Sequence, residues 1–506
     1  MKAFLLHPYE DFDWQAELPS HEPDLTRDLG LETLFDAMDA DDAFLNDVAR
    51  RVVLLGLHDP GVIVYRQEVL RDCLGHPEVL RELYGIAVTA IGGERRIFGS
   101  FSRSPDSILY RAVQVLDLFV GQLHELRRTA DEHAAEFTSP GFARFFRMLE
   151  TELDDAYFQT VEDHLTRLKF RGGVQISANL GRGAKGTGYV LREPPSRLGW
   201  FDRLTGNAPT SYTYRVPDRD EAGEHDLAEL RGRGINLAAD ALAKSADHIL
   251  GFFVMLRREL GFYLACLNLH ERLTAKDAPV CFPEPFSGTG PRLSCRGLYD
   301  TCLALRQDEP VTGNDVDADD RALLVVTGAN EGGKSTFLRS VGLAQLMTQA
   351  GMFVSAREYV CDVRDAVFTH CRREEDDEMV SGKFDEELAR MDDIAQRVTR
   401  GGFVLFNESF ASTNEREGSE IARQIFRALL ESGVKILCVT HLYDLAHSLY
   451  EQHHADALFL RAQRRDDGTR TFRLVEGEPE PTSHGEDLYQ QVFGTAPVAA
   501  GSPRRS

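Results

Sequence analysis

Apolar residues recur at helical spacing in "LETLFDAM" and "FLNDVARRVVLLGL", so residues 1–100 are predicted to form a helical core region. Ser104-Pro105-Asp106 reads as a helix start, with Ser as the cap and Pro in the first turn. Behind it Leu109, Ala112, Leu116, Phe119, Leu123 and Leu126 fall on one face. A second start at Ser139-Pro140 opens a stripe from Phe142 through Phe145, Leu149, Leu153, Val161 and Leu165 to Leu168. From Gly172 to Arg219 the stripe gives way to Gly, Pro, Thr and Tyr, and "GYVLRE" and "SYTYRV" read as short strands. Helical spacing resumes at Ile235 and runs to Leu273, a length of roughly 60 Å if unbroken. Residues 101–275 thus predict a pair of helical arms carrying a small β-rich insertion at 172–219. A plain helical domain with one long loop is the alternative.

"APVCFPEPFSGTGP" and the charged "NDVDADD" make residues 276–320 read as a connector. From Arg321 to 493, apolar strands alternate with helical stretches, the pattern of an α/β domain with a mainly parallel sheet. Residues 494–506 are small and polar, and are predicted to be a disordered tail.

Length and composition fit this layout. A chain of 506 residues is too long for a single core, and 42% apolar content is that of an ordinary globular protein. "MKAFLLHPYEDFDW" lacks the makings of a signal peptide, and the longest apolar stretch is interrupted by Arg257, Arg258 and Glu259. The eight cysteines show no CxxC pair, so reduced thiols, a cytoplasmic location and no membrane partner are expected. The net charge of −24 argues against general affinity for nucleic acid. Leu165 to Arg219 is an exception, with ten basic residues against three acids. It reads either as a phosphate-contacting pad or as a solvated loop.

The strongest local signal is "ALLVVTGANEGGKSTFLRSVGLAQLM". Gly328, Gly333, Lys334 and Ser335 stand at the Gly-x-x-x-x-Gly-Lys-[Ser/Thr] spacing, after an apolar strand and before a helical stripe. Glycines let backbone N–H groups converge on phosphate oxygens, and the helix N-terminus favours the anion. Gly328, Ala329, Asn330, Glu331, Gly332, Gly333, Lys334, Ser335 and Thr336 are the expected nucleotide-binding residues. Lys334 would reach the β- and γ-phosphates, and the Ser335 hydroxyl would ligate Mg²⁺.

"TGANEGGKSTFLRS" resembles the Walker A segment of the MutS family, the ATPases of DNA mismatch repair, with Asn330 at that family's characteristic Asn. "DAVFTHCRREEDDEMVSGKFDEELARM" is similar to the family's acidic loop with a Ser-Gly pair, here Ser381-Gly382. In "GGFVLFNESFAS" the family's strand ending in Asp-Glu falls on Asn407-Glu408, its turn on Thr413-Asn414 and its helix-start Gly on Gly418. "KILCVTHLYDLA" resembles the strand ending in Thr-His, here Thr440-His441, and "FRLVEGEPEPTSHGEDLYQQVFG" the β-hairpin tail. The resemblance is strong over 320–493; over 30–275 it lies in layout, with "DPGVIVYRQEVLRD" as a local echo.

The resemblance implies a multidomain protein: an α-helical lever region with a small β-rich insertion, then an α/β P-loop NTPase domain of ABC/MutS-like type. It also implies ATP and Mg²⁺ as cofactors, DNA as partner and a homodimer. The chain opens on lever-like helices with no room for the family's mismatch-reading domain, and ends soon after Phe493, so a short form is expected. On the family pattern Glu408 is the general base, His441 contacts the γ-phosphate or the water, and Ser335 and Asn407 serve the metal. Thr413 and Asn414 would approach a second subunit's nucleotide, or simply cap their own helix. Asn407 keeps a carbonyl oxygen but loses the usual aspartate charge, which points to a slow or metal-sensitive site rather than a dead one. Arg182, Lys185 and Arg192 are the expected DNA-contacting residues.

The acidic run 374–378 reads as a solvated loop or a partner site, and Tyr299 and Asn314 as packing or a border to the adenine. Two functions follow: an ATPase coupled to a DNA clamp in repair or recombination, or a nucleotide-gated scaffold or sensor that hydrolyses little and engages a protein or RNA assembly. No LSGGQ-like run precedes Asn407-Glu408, which disfavours a transporter ATPase.

Overall fold

The computed structural model describes residues 1–97, 104–170, 173–192, 215–217, 219–286, 288, 290–329, 331–373, 382–452, 456–465 and 470–480. The chain divides into two compact units. Met1–Leu5 and Gly75–Gly261 make the first, Leu6–Leu74 and Phe262–Ser506 the second.

The second unit begins with α1 (Glu22–Leu29), α2 (Leu31–Asp39), α3 (Ala43–Leu55) and α4 (Pro60–Gly75). The chain then builds the first unit from α5 (Pro77–Ile97), α6 (Pro105–His133), α7 (Pro140–Glu152), α8 (Asp155–Leu168), β1 (Gln175–Leu180) and β2 (Gly186–Arg192). α6 and α7 start where the Ser-Pro pairs put them: Ser104 Oγ accepts from the Ser107 N–H and Ser139 Oγ from the Phe142 N–H. The expected single helix to Leu168 is two. It breaks at Leu153, and Asp154 caps α8 by accepting from the Tyr157 N–H at 2.7 Å. The apolar stripe runs on through the break, so spacing alone hides it.

β1 and β2 form an antiparallel hairpin. "GYVLRE" falls on β2, while Ser211 to Tyr214 of "SYTYRV" lie outside the described residues. α9 (Glu221–Thr274) is a single helix of 54 residues, starting fourteen positions before its stripe suggests. Its first turns are polar and exposed. At Gly234 a Cβ would meet the Ile176 side chain at 2.4 Å, so the glycine lets the hairpin sit against the helix.

In the second unit β3 (Glu284–Phe286), β4 (Leu293–Leu298), α10 (Thr301–Arg306) and β5 (Asn314–Asp317) follow. Then come β6 (Leu323–Thr327), α11 (Lys334–Gln349), β7 (Glu358–Asp362), β8 (Val367–Cys371), α12 (Lys383–Arg397) and β9 (Phe403–Asn407). α13 (Glu415–Glu431), β10 (Lys435–Val439), α14 (Tyr443–Glu451), β11 (Ala457–Arg464) and β12 (Arg470–Glu476) complete it. The main sheet has the order β12-β11-β6-β10-β9-β8, parallel except for β12. β6, β8 and β10 are buried along their whole length, as strands covered on both faces must be.

Two expected boundaries move. Residues 276–320 are no mere connector: β3, β4 and β5 join β7 in a four-stranded sheet of order β3-β7-β4-β5. Residues 6–74 of the predicted 1–100 region belong with the parallel sheet instead of forming their own unit. The physical reason lies at Gly342 on α11, where a Cβ would come within 2.7 Å of Leu29 Cδ2 and 2.8 Å of Leu405 Cδ1. α11 is thus pressed between α1 and the sheet, and Leu25, Leu29 and Leu405 are buried. The stretch matched to the family's hairpin tail begins in β12, the second strand of the β11–β12 hairpin; residues 481–506, with the rest of that stretch and the predicted disordered tail, lie outside the described residues.

All eight cysteines are free, and seven are buried. Among the described residues no helix is long and apolar enough to cross a membrane.

Candidate functional site

β6, β9 and β10 are adjacent and parallel, so the segments leaving their carboxyl ends converge. These are the glycine loop, Asn407-Glu408 and Thr440-His441. The Thr440 N–H donates to Val326 O at 3.1 Å and the Glu408 N–H to Val439 O at 2.8 Å, tying the three together. Gly333, with φ +89, turns the chain into α11, and Gly328, at φ +116, leaves β6. A Cβ at Gly328 would lie 2.9 Å from Ala462 N, so β11 packs directly on the loop. Asn330 lies outside the described residues.

A cavity of about 710 Å³ opens here, lined by Glu331, Gly332, Gly333, Lys334, Ser335, Thr336 and Glu408. Lys334 is 4% exposed, and burial lowers its pKa from the usual lysine value, opposed by the Glu408 charge. Its Nζ donates to the Gly328 and Ala329 carbonyls at 2.9 and 3.0 Å, which leaves a third N–H for the cavity. Gly328 and Ala329 therefore hold Lys334 without lining the cavity themselves. Ser335 Oγ donates to Asn407 Oδ1 at 2.9 Å. With its proton committed there, the hydroxyl keeps its lone pairs for a cation. Ser335, Asn407 and Glu408 together offer hard oxygen donors of the kind Mg²⁺ takes.

His441 Nδ1 stands 4.0 Å from Glu408 Oε2 without lining the cavity. Thr413 and Asn414 are turned to their own helix: Asn414 Oδ1 accepts from the Glu417 N–H at 3.0 Å and Thr413 Oγ1 donates to Glu417 Oε2 at 2.6 Å. Tyr299 is 4% exposed and donates to Pro279 O, away from this cavity. Asn314 lines the cavity but is occupied with β12, donating to Phe472 O at 3.4 Å and accepting from the Leu474 N–H at 2.7 Å.

Phe472, which the sequence did not mark, is held by that clamp at φ +57 and faces the same cavity with Pro310 and Val311. Glu331, also at positive φ, pairs with Arg470 on β12. In the first unit Arg182, Lys185 and Arg192 are all exposed on the hairpin; Arg192 Nε donates to Ser177 Oγ at 2.9 Å.

The turn after β9 is strained. Glu408 and Phe410 both have left-handed backbones, with φ +53 and +62, at a cost of about 1–3 kcal/mol each. Gly418 makes the turn fit, because a Cβ there would lie 2.3 Å from Phe410 O. Beneath it His370 is fully buried, and burial lowers its pKa from 6.5 to about 4. The Arg390 and Arg373 charges push the same way, while a bond to Glu387 O and the Asp24 charge oppose them.

The unfolded chain thus takes up this proton at a higher pH than the folded one. The stability His370 contributes is full above pH 6.5 and falls as pH drops to about 4. His370→Phe is expected to flatten the acid limb of the denaturation midpoint over that window, by on the order of 3 kcal/mol across its width. Equal slopes for the two proteins would remove the assignment.

Comparisons with known proteins point to one family. A family model described as MutS2 N-terminal domain matches residues 58–276, and one described as MutS domain V matches 324–495. The DNA mismatch repair protein MutS of Thermotoga neapolitana is 38% identical over 131 residues, 26% of this chain and 16% of that protein. Endonuclease MutS2 of Streptococcus uberis is 31% identical over 163 residues, 32% of this chain and 21% of that protein. The DNA mismatch repair protein MutS of Streptococcus pneumoniae is 24% identical over 318 residues, 60% of this chain and 36% of that protein. The matches thus span well under half of these relatives.

Proposed function

We propose that this chain, which belongs to the MutS family, binds ATP with Mg²⁺ at the glycine loop and hydrolyses it in connection with DNA. The observation that carries the reading is the grouping of Lys334, Ser335 and Glu408 around one cavity, with Asn407 tied to it through its bond to Ser335.

Lys334 directs its remaining N–H at the phosphates, and the loop's backbone N–H groups and the N-terminus of α11 bind the anion. Ser335 and Asn407 would hold Mg²⁺, which when bound supplies positive charge against the phosphate oxygens. Glu408 polarises the attacking water, and His441 contacts the γ-phosphate or that water. Phe472, Pro310 and Val311 supply an apolar wall for the base. Thr413 and Asn414 would act across a homodimer only on releasing Glu417, which they bond as the cap of α13. The nuclease activity in the name of the Streptococcus uberis relative stays with that protein, of which 21% is matched.

DNA is contacted through its phosphates by the β1–β2 hairpin, whose basic residues stand out on a chain of net charge −24. α9 continues from the unit that carries the hairpin into the one that carries the glycine loop, and supplies a covalent route for coupling. Arg182→Ala/Lys185→Ala is expected to weaken duplex binding evenly across sequences. It should also lower the slope of log affinity against log salt by about 2. Titrations at several salt concentrations check this, and an unchanged slope would dismiss the hairpin as the DNA site.

Asn407, neutral where the resemblance leads one to expect an aspartate, favours a second reading: a nucleotide-gated scaffold or sensor with negligible turnover, acting on a protein or RNA assembly. Steady-state ATP hydrolysis with Mg²⁺, with and without duplex and branched DNA, separates the two. Turnover that DNA changes supports the DNA-coupled ATPase. ATP binding without turnover supports the sensor.

A further inference from the structure

We propose that His370 is a positioning residue for Glu408, acting by gripping the two residues that follow it, Ser409 and Phe410. The inference rests on the reading that Glu408 acts at the nucleotide.

The ring of His370 touches both. Its Nδ1 is 2.8 Å from Ser409 Oγ, and its plane stacks on the Phe410 ring at a centroid distance of 5.2 Å and an interplanar angle of 21°. Its Nε2 is 3.0 Å from the Glu387 carbonyl on α12. A carbonyl only accepts, so Nε2 carries the proton. Burial keeps the ring neutral, which makes Nδ1 an acceptor and the Ser409 hydroxyl its donor. The hydroxyl has one proton, which it shares in a three-centre bond between His370 Nδ1 and the backbone His370 O at 2.5 Å, so both acceptors that tie Ser409 to β8 belong to residue 370.

The ring is therefore fixed at one end by α12 and grips the turn with the other. Glu387 reinforces this from the same helix, since its Oε1 accepts from Ser412 Oγ at 3.1 Å further along the turn. The grip falls within a turn whose backbone is out of the ordinary. Glu408 and Phe410 are both left-handed, and Ser409 between them is 6% exposed. Without the clamp the turn is free to relax toward an ordinary backbone, which swings the Glu408 carboxylate away from the cavity it lines. A buried histidine that served packing alone would bond anywhere in the core. This one bonds to the residue adjoining Glu408.

Ser409→Ala removes the hydroxyl and both of its bonds to residue 370 and keeps both rings; His370→Phe keeps the stack, removes the bonds at Nδ1 and Nε2, and leaves Ser409 only the backbone oxygen of residue 370. Each is expected to lower kcat for ATP at least about tenfold while KM stays within about twofold, because the binding groups are untouched. The double variant should be no slower than the slower single, the mark of two residues acting as one. Amide hydrogen exchange supplies a readout independent of turnover: protection across 408–412 should fall at least about tenfold in both variants, with β6 unchanged.

Unchanged kcat together with unchanged exchange overturns the proposal. A rise in exchange at β6 as well, with KM and kcat both impaired, assigns His370 to the fold of the sheet and also overturns it. If the wild type hydrolyses ATP no faster than Glu408→Gln, the hydrolysis reading fails by itself, and exchange across 408–412 alone decides whether His370 positions the turn.

Discussion

Glu408→Gln is expected to bind ATP within about twofold of the wild type and to hydrolyse it about 10²–10⁴-fold more slowly. Glutamine keeps the size of the side chain and an oxygen that can accept a hydrogen bond, so the turn at φ +53 and the Glu408 N–H bond to Val439 O persist. What is lost is the negative charge assigned to polarising the attacking water. Binding is spared because the groups assigned to the phosphates, Lys334 and the loop backbone, are untouched. Lys334 changes in one respect: the Glu408 charge favours its protonated form, and losing it removes that support. Single-turnover hydrolysis with a separate nucleotide-binding titration distinguishes the two effects. Hydrolysis equal to wild type would show that another group activates the water. His441, 4.0 Å from the carboxylate, would then be the residue to test.

Asn407→Asp is expected to tighten Mg²⁺ by on the order of 1–3 kcal/mol, so that the Mg²⁺ concentration supporting half-maximal turnover falls by about tenfold or more. The geometry should survive, because a carboxylate oxygen accepts the Ser335 hydroxyl proton as Asn407 Oδ1 does at 2.9 Å. The change adds a negative charge to a site that already holds Glu408, so the gain should be seen only with the dication present. Without Mg²⁺ the added charge should weaken ATP binding. A Mg²⁺ titration of turnover in the two proteins checks this, and coincident curves would mean that Asn407 stands outside the metal's reach.

What could be read in advance was local in sequence. The glycine spacing carries its own geometry, and Ser104-Pro105 and Ser139-Pro140 carry their own caps, so each was visible in a few residues. Gly418 was matched by resemblance, and its reason is steric: Phe410 O occupies the space of a side chain. Features set by distant contact were hidden. Phe472 sits in an alternating strand pattern that gives no sign of a left-handed backbone, and its clamp, Asn314, is 158 positions away. His370 went unmarked, because its partner Ser409 is 39 positions on. The break at Leu153 was masked by an apolar stripe that runs through it. Residues 276–320 looked like a linker because β3, β4 and β5 are short and complete their sheet only with β7.

Gly342 has a practical consequence for anyone who wishes to take the protein apart. Its missing side chain lets Leu29 reach the helix that starts at the glycine loop, and the buried face of that helix is finished by residues 6–74, the opening segment of the second unit. A fragment cut at residue 321, where the repeating strand-and-helix pattern begins, would leave that face bare. Dissection should keep residues 6–74 with the half that carries the glycine loop, supplied in the same chain or as a separate complementing piece.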